Sequence, residues 1–138
     1  MFTYGDGVAD VNLRNLMEFH QSHGKLATVT TVRSPARFGR INFDGDRIVR
    51  FYEKPQAAEG WINGGYFLFK REIFDHMKDG EELVYEPFRR LIAKKQLTAY
   101  EYKGFWQSMD TLKDKQILEE LYARGEAPWT VWASNDRD

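Results

Sequence analysis

The sequence lacks three features that would point to particular classes of protein. It has no cysteine among its 138 residues, which excludes disulfides and thiolate metal sites and fits a cytoplasmic setting. It has no excess of positive charge, because 20 lysines and arginines face 21 aspartates and glutamates. Nothing electrostatic therefore predicts a nucleic acid or an anionic membrane as a partner. It also has no apolar run of membrane-spanning length, and Met1 begins neither a signal nor a transit peptide.

The composition that remains is typical of a soluble globular protein. Hydrophobic residues make up 42% and charged residues 30% of the chain. The length predicts one domain, over residues 1–132, with a disordered tail at 133–138. Aromatic residues reach 15% and recur beside glycines, which hints at a ligand cleft, although core packing accounts for most of the rings.

Alternating apolar patterns predict an α/β fold with a mixed sheet and flanking helices. The apolar strand at 2–4 is predicted to be buried. Asp10 is the expected cap of the first helix, and Asp110 or Thr111 that of the last. The predicted strands are 2–4, 26–32, 38–44, 47–54, 61–69 and 97–104, with a hairpin turn at 44–46; the predicted helices are 10–22, 72–78, 82–95 and 111–124. In the third helix Phe88, Leu91 and Ile92 should face inward.

Gly5-Asp6-Gly7 places one carboxylate between two glycines just after the first strand. Glycines let a ligand approach the backbone closely, and a carboxylate suits a hard cation such as Mg²⁺. Taken alone, an aspartate between two glycines is more often part of an ordinary turn.

Glu53-Lys54-Pro55 ends the second strand of the hairpin, because proline cannot continue it. A carboxylate accepts hydrogen bonds from sugar hydroxyls, and a lysine ammonium is a compact partner for phosphate. An exposed ion pair at a strand end is the alternative.

Residues 61–67 (WINGGYF) carry two glycines inside an apolar strand. Gly64 and Gly65 cost stability there, so they indicate a bulge or a close backbone approach. Asn63 can donate and accept hydrogen bonds, which suits a polyhydroxylated ligand. The alternative is a plain bulge with Asn63 in a turn.

Residues 104–111 (GFWQSMDT) combine an aromatic wall, Phe105 and Trp106, with Asp110 before the last helix. N-capping is the simplest role for Asp110. Asp6 and Asp110 could instead converge on one Mg²⁺, since one or two carboxylates plus substrate phosphates usually hold that ion.

Taken together and in this order, the motifs YGDGV, ARFG, EKP, WINGGYF and GFWQSMDT resemble the sugar-1-phosphate nucleotidyltransferase family. The likeness runs from Phe2 to Trp132, and WINGG with GFWQSMDT points to the cytidylyl branch. It implies the carboxyl-terminal part of a Rossmann-like nucleotidyltransferase fold. It also implies nucleotidyl transfer from CTP to glucose 1-phosphate, with release of pyrophosphate and with Mg²⁺ as cofactor.

The resemblance also implies residue roles. Asp6 and Asp110 would bind the metal, and Lys54 would contact the sugar phosphate. The remaining implied sugar-site residues are Glu53, Asn63, the Gly39 amide, Gly64 as the floor of the pocket and Trp106 as its wall.

Family members begin with a glycine-rich nucleotide-binding half and a catalytic lysine, and this sequence contains neither. We therefore expect it to be a carboxyl-terminal portion, inactive alone, of an enzyme that forms a homo-oligomer. A non-catalytic sugar-phosphate-binding or interaction module, or a relative that uses another nucleotide, is the alternative.

Overall fold

The computed structural model describes residues 1–33, 40–52 and 60–131. Its strands are β1 (Phe2–Thr3), β2 (Gly7–Ala9), β3 (Ala27–Val32), β4 (Arg40–Asp44), β5 (Arg47–Tyr52), β6 (Ile62–Phe69), β7 (Leu97–Glu101) and β8 (Trp106–Ser108). Its helices are α1 (Leu13–His23), α2 (Glu86–Ala93) and α3 (Leu112–Ala123), with a short 3-10 helix at Arg71–His76. None of these helices, in the part of the chain described, is both long enough and apolar enough to cross a bilayer.

Four strands form the main sheet in the order β1-β6-β3-β7. Strand β3 runs parallel to β7 and antiparallel to β6, so the sheet is mixed, and the predicted α/β class is confirmed. The central position of β3 follows from its β-branched sequence, ATVTTV, which is suited to a strand covered on both faces. Two further pairs, β2-β8 and β4-β5, form small separate sheets.

One apolar cluster joins the sheet to the helices beside it. Ala27, Ile73 and Leu91 are buried at its centre. Partly buried apolar side chains surround them: Leu26, Phe69, Leu83, Phe88 and Leu97. This cluster holds α2 and the 3-10 helix against the β3–β6–β7 part of the sheet, and so fixes the strand that carries Asn63.

The predicted hairpin is present. Asp44 pairs with Arg47 across a two-residue connection, and Gly45 has a φ of +64°. A glycine adopts this left-handed backbone without strain, which explains why the Asp-Gly sequence marks the turn.

Several sequence-based expectations about element ends and burial are wrong. Helix α1 is capped by Asn12, whose side-chain oxygen accepts from the Arg14 and Asn15 amides, and not by Asp10. Helix α2 begins later than expected, and Ile92 is 62% exposed instead of inward. The strand at the start of the chain is only two residues long, and Phe2 is 47% exposed because β1 lies at the edge of the sheet.

Candidate functional site

The short pair of strands β2 and β8 brings the two distant glycine- and aspartate-containing motifs together. Gly7 pairs with Ser108 in this antiparallel ladder. Just beyond it, the Met109 amide donates a 2.7 Å hydrogen bond to the Asp6 carbonyl. Asp6 and Asp110 therefore lie at the same end of the two strands, although they are far apart in the sequence.

Asp10 holds this arrangement in place from the other end of β2. Its carboxylate accepts a 2.9 Å hydrogen bond from the Phe105 amide and another from the Tyr102 hydroxyl. Burial is the main cause that raises the pKa of Tyr102, and the Asp10 carboxylate raises it further. The phenol therefore remains a protonated donor, and Asp10 ties β2 to the segment that leads into β8.

A cavity of about 260 Å³ lies at the Asp6–Asp110 end of this ladder, against β6. Its lining residues are Thr3, Tyr4, Asp6, Gly7, Asn63, Gly64, Gly65, Trp106, Ser108 and Asp110. Five residues singled out from the sequence line it together: Asp6, Asn63, Gly64, Trp106 and Asp110. The other three, Gly39, Glu53 and Lys54, lie outside the described residues.

Two larger cavities lie elsewhere, with volumes of about 720 and 620 Å³. Both are lined mostly by apolar side chains. Among the described lining residues, the first has no carboxylate and the second has only Asp10, which Tyr102 and Phe105 already engage. Size alone therefore does not identify the site. The smaller cavity is the better candidate because two carboxylates, Asp6 and Asp110, line it together with polar side chains.

The predicted irregularity in β6 is present at the two glycines. The ladder with β3 passes from Thr31–Asn63 to Val29–Phe67, so three residues of β6 lie opposite one of β3. A β-carbon on Gly64 would come within 3.0 Å of the Thr30 carbonyl oxygen. One on Gly65, where φ is +77°, would meet the Tyr4 ring at 3.0 Å. The close approach that the two glycines indicated is therefore between the β6 backbone and neighbouring protein atoms, in β3 for Gly64 and in Tyr4 for Gly65.

Asn63 adopts the turn-like contact that the bulge alternative described. Its side-chain oxygen accepts a 2.9 Å hydrogen bond from the Gly65 amide. The NH₂ group is consequently directed to the Tyr4 hydroxyl, at 3.5 Å. The Asn63 side chain also lines the cavity, and its NH₂ group is directed toward Tyr4, another lining residue.

Only one of the two rings of the expected aromatic wall lines the cavity. The Trp106 indole donates a 2.9 Å hydrogen bond to the Gly64 carbonyl, which fixes the ring against β6. Phe105 instead stacks on Trp129 with ring centres 5.5 Å apart. Successive side chains of a strand point to opposite sides, which accounts for this difference.

Asp110 is not the cap of α3. Thr111 forms a capping box with Asp114, in which each side chain accepts from the other residue's backbone amide. The Asp110 carboxylate instead accepts a 2.9 Å hydrogen bond from the Ser108 hydroxyl and lies on the cavity.

The donor atoms of the cavity fit a hard divalent cation. Asp6 and Asp110 supply carboxylate oxygens, Ser108 supplies a hydroxyl, and no histidine lines the cavity. Within the described ranges no group of three or more histidine, aspartate or glutamate side chains is arranged to hold a metal. Two carboxylates are nevertheless sufficient for Mg²⁺ when substrate phosphates complete its coordination.

Sequence reasoning missed three polar side chains of this cavity, Thr3, Tyr4 and Ser108. Tyr4 and Ser108 each lie two positions before one of the aspartates, and two positions is the side-chain period of extended chain. That spacing could have indicated both residues, but strands as short as β1 and β8 show no alternating pattern.

The family follows from comparison with known proteins. The sequence model of the nucleotidyl transferase family matches residues 1–120. This chain belongs to the nucleotidyl transferase family. The glucose-1-phosphate cytidylyltransferases of Salmonella typhi and Salmonella typhimurium are similar to this chain. Each is 42% identical to it over 133 residues, which are 96% of this chain and 52% of the relative.

Solved structures support the fold. A Bacillus anthracis protein, provisionally assigned as a glucose-1-phosphate thymidylyltransferase, superposes with a TM-score of 0.57 at 20% identity. The match covers 88% of this nucleotidyltransferase chain and 52% of that one. The chain thus spans about half the length of the curated relatives and of the structure it matches.

Proposed function

We propose that this chain supplies the metal- and sugar-phosphate-binding half of an enzyme that transfers a cytidylyl group from CTP to α-D-glucose 1-phosphate. The products are CDP-glucose and pyrophosphate. The observation that carries the proposal is the cavity shared by Asp6, Asp110, Asn63 and Trp106, in a chain 42% identical to glucose-1-phosphate cytidylyltransferases.

The reaction needs no general base, because the attacking phosphate oxygen is already an anion. A new bond forms between that oxygen and the α-phosphorus of CTP while the bond to the pyrophosphate leaving group breaks. Catalysis is then a matter of holding the two anions in line and neutralising their charge. When bound, Mg²⁺ supplies part of this neutralisation.

Different residues of this chain serve the metal, the sugar and the phosphate. Asp6 and Asp110 would hold Mg²⁺ at one end of the β2-β8 pair. Asn63 binds the sugar, Gly64 forms the floor of its pocket, and the Trp106 ring limits its position. Gly39, Glu53 and Lys54 complete the sugar-phosphate site, with Lys54 on the phosphate, which are roles that the family resemblance implies.

Two measurements test this function. The first is calorimetric binding of glucose 1-phosphate by the 138-residue chain with Mg²⁺, for which we expect binding without pyrophosphate release when CTP is added. The second is pyrophosphate release by a fusion of this chain to the part of the Salmonella typhi relative that it does not match. We expect turnover there with CTP.

The outcomes separate the alternatives. Binding of glucose 1-phosphate with no turnover by the folded fusion would favour a binding module. Turnover with UTP, dTTP or GTP in preference to CTP would indicate a relative with another nucleotide. A folded chain that binds no sugar phosphate would overturn the proposal, and steady turnover by the chain alone would mean that the donor site is wrongly assigned.

A further inference from the structure

Tyr4 lies in the cavity without a role in the scheme above. It is on the short segment between β1 and Asp6, and its side chain lines the cavity beside Asn63 and Gly65. Tyrosine hydroxyls are frequent partners of polar ligands because they both donate and accept hydrogen bonds. The question is whether this hydroxyl is placed firmly enough to bind one.

Tyr4 is positioned by its backbone and by two contacts of its ring. Its amide donates a 2.9 Å hydrogen bond to the Gly65 carbonyl, which continues the pairing of β1 with β6. The ring packs edge-on against Phe67, with centres 5.3 Å apart. It fills the space that a β-carbon on Gly65 would need. The ring is therefore held against Phe67 and Gly65, and these contacts position the hydroxyl, while the residue as a whole is 38% exposed.

The hydrogen bonds around Asn63 determine which atoms face the ligand. The Gly65 amide occupies the Asn63 side-chain oxygen, so the Asn63 NH₂ group faces the Tyr4 hydroxyl oxygen at 3.5 Å. This contact is long, and it uses the phenol as an acceptor. The phenol proton has no acceptor among the described residues. Two donors, the phenol O–H and the amide N–H, are thus left side by side on the cavity.

We propose that Tyr4 is a further sugar-binding residue, whose hydroxyl donates a hydrogen bond to one hydroxyl oxygen of glucose 1-phosphate. The inference rests on the proposed function and adds a specificity-determining contact to it. Asn63 offers its donor next to Tyr4, so the pair recognises an edge of the sugar that presents hydroxyl oxygens.

The test measures binding affinities by calorimetry in the presence of Mg²⁺, for each combination of a protein variant and a modified ligand. Tyr4→Phe removes the hydroxyl and keeps the ring contacts. Glucose 1-phosphate is compared with its 2-, 3-, 4- and 6-deoxy analogues, each of which lacks one hydroxyl. Tyr122→Phe is the matched control, because Tyr122 lies exposed on α3 and does not line the cavity.

We expect Tyr4→Phe to weaken glucose 1-phosphate binding by roughly 3- to 10-fold, the loss of one hydrogen bond. It should leave unchanged the affinity for the one deoxy analogue that lacks the hydroxyl bound by Tyr4. Tyr122→Phe should bind every ligand like the unmodified chain.

Two results would overturn the inference while leaving the proposed function intact. One is an unchanged affinity of Tyr4→Phe for glucose 1-phosphate. The other is an equal loss for all four deoxy analogues, since that is the behaviour of a residue that only supports the fold. A folded, unmodified chain that binds no glucose 1-phosphate would overturn both proposals.

Discussion

Asp6 and Asp110 are the residues on which the metal hypothesis depends. They come from opposite ends of the chain and lie on one cavity, with Ser108 donating to Asp110 and the Met109 amide donating to the Asp6 carbonyl. The capping box of α3 is formed by Thr111 and Asp114. Replacing Asp110 should therefore affect the site while this capping box remains.

In the fusion enzyme, Asp110→Asn should lower kcat/KM for pyrophosphate release by a factor that corresponds to several kcal/mol of transition-state stabilisation. Mn²⁺ binding, followed by electron paramagnetic resonance, should weaken in parallel, and the unfolding midpoint should stay within error of the unmodified protein. Asp75→Asn, on the 3-10 helix, is the control and should change neither activity nor metal binding. Unchanged Mn²⁺ affinity in Asp110→Asn would refute the metal role.

Lys54 is expected to bind the phosphate of the sugar, on the basis of its motif. Lys54→Ala should weaken binding of glucose 1-phosphate much more than binding of glucose, because only the first ligand carries the charge that the ammonium recognises. Calorimetry with both ligands measures the difference, and Lys113→Ala, an exposed lysine on α3, is the control. Equal losses for the two ligands would contradict the assigned role.

At the scale of elements, the bulged strand β6 is the part that shapes the site. Its bulge turns Asn63 toward Tyr4 and exposes the Gly64 carbonyl to the Trp106 indole. Both contacts depend on the two glycines, because side chains there would collide with β3 or with Tyr4. The cost of glycine inside a strand is thus offset by contacts that only glycine permits.

Gly64→Ala should destabilise the chain by about 1–3 kcal/mol, because its β-carbon would lie 3.0 Å from both the Thr30 carbonyl and a Val32 methyl group. Urea unfolding followed by circular dichroism measures this change. Gly5→Ala is the matched control, since a β-carbon there meets no atom within 4 Å. A loss of stability as large in Gly5→Ala would show that the effect is not one of packing against β3.

At the scale of the whole molecule, a chain of hydrogen bonds joins α1 to the central strand. The Lys25 amide donates to His23 Nδ1 at 3.0 Å, so His23 Nε2 carries the proton that it donates to the Thr28 hydroxyl. Thr28 in turn donates to His20 Nδ1 at 2.8 Å. Both imidazoles are neutral in this arrangement, and His20 and Thr28 are buried.

Stability should therefore fall when these histidines acquire protons. Burial is the main cause that lowers the pKa of His20 and of His23 below the ordinary 6.5. His23 and Lys70 lower the pKa of His20 further, and Lys25 and Lys70 do the same for His23. The unfolded chain takes up the protons first, so this contribution is complete above pH 6.5 and decreases as the pH falls toward the folded-state pKa values.

Urea unfolding between pH 7 and 5 should show this decrease in the unfolding free energy. His20→Gln should reduce the slope, and His76→Gln, outside the network, should retain it. Glu81, whose pKa the Arg90 hydrogen bond lowers to about 2, acts only in a more acidic range. A slope that is the same in His20→Gln as in the unmodified chain would refute the explanation.

Elements with a long and local sequence pattern could be predicted without the structure. The β-branched run of β3, the Asp-Gly hairpin and the α/β class with a mixed sheet were all predicted and are present. The residue types able to bind a metal or a sugar were also evident from the sequence. Carboxylate, amide and indole groups near glycines keep the same binding properties in any fold. The family resemblance then assigned them roles.

How these parts meet depends on long-range pairing that no local pattern predicts. Strands β2 and β8 have three residues each, too few for an alternating pattern, yet their pairing puts Asp6 and Asp110 on one cavity. Asp10 was expected to cap a helix, but its carboxylate accepts hydrogen bonds from Tyr102 and Phe105, which are more than 90 positions away. Asn12 caps helix α1 instead. Local sequence determines which hydrogen bonds a side chain such as Asp10 can form with its near neighbours. Which of these bonds forms depends on the partners that the tertiary structure places within hydrogen-bond distance.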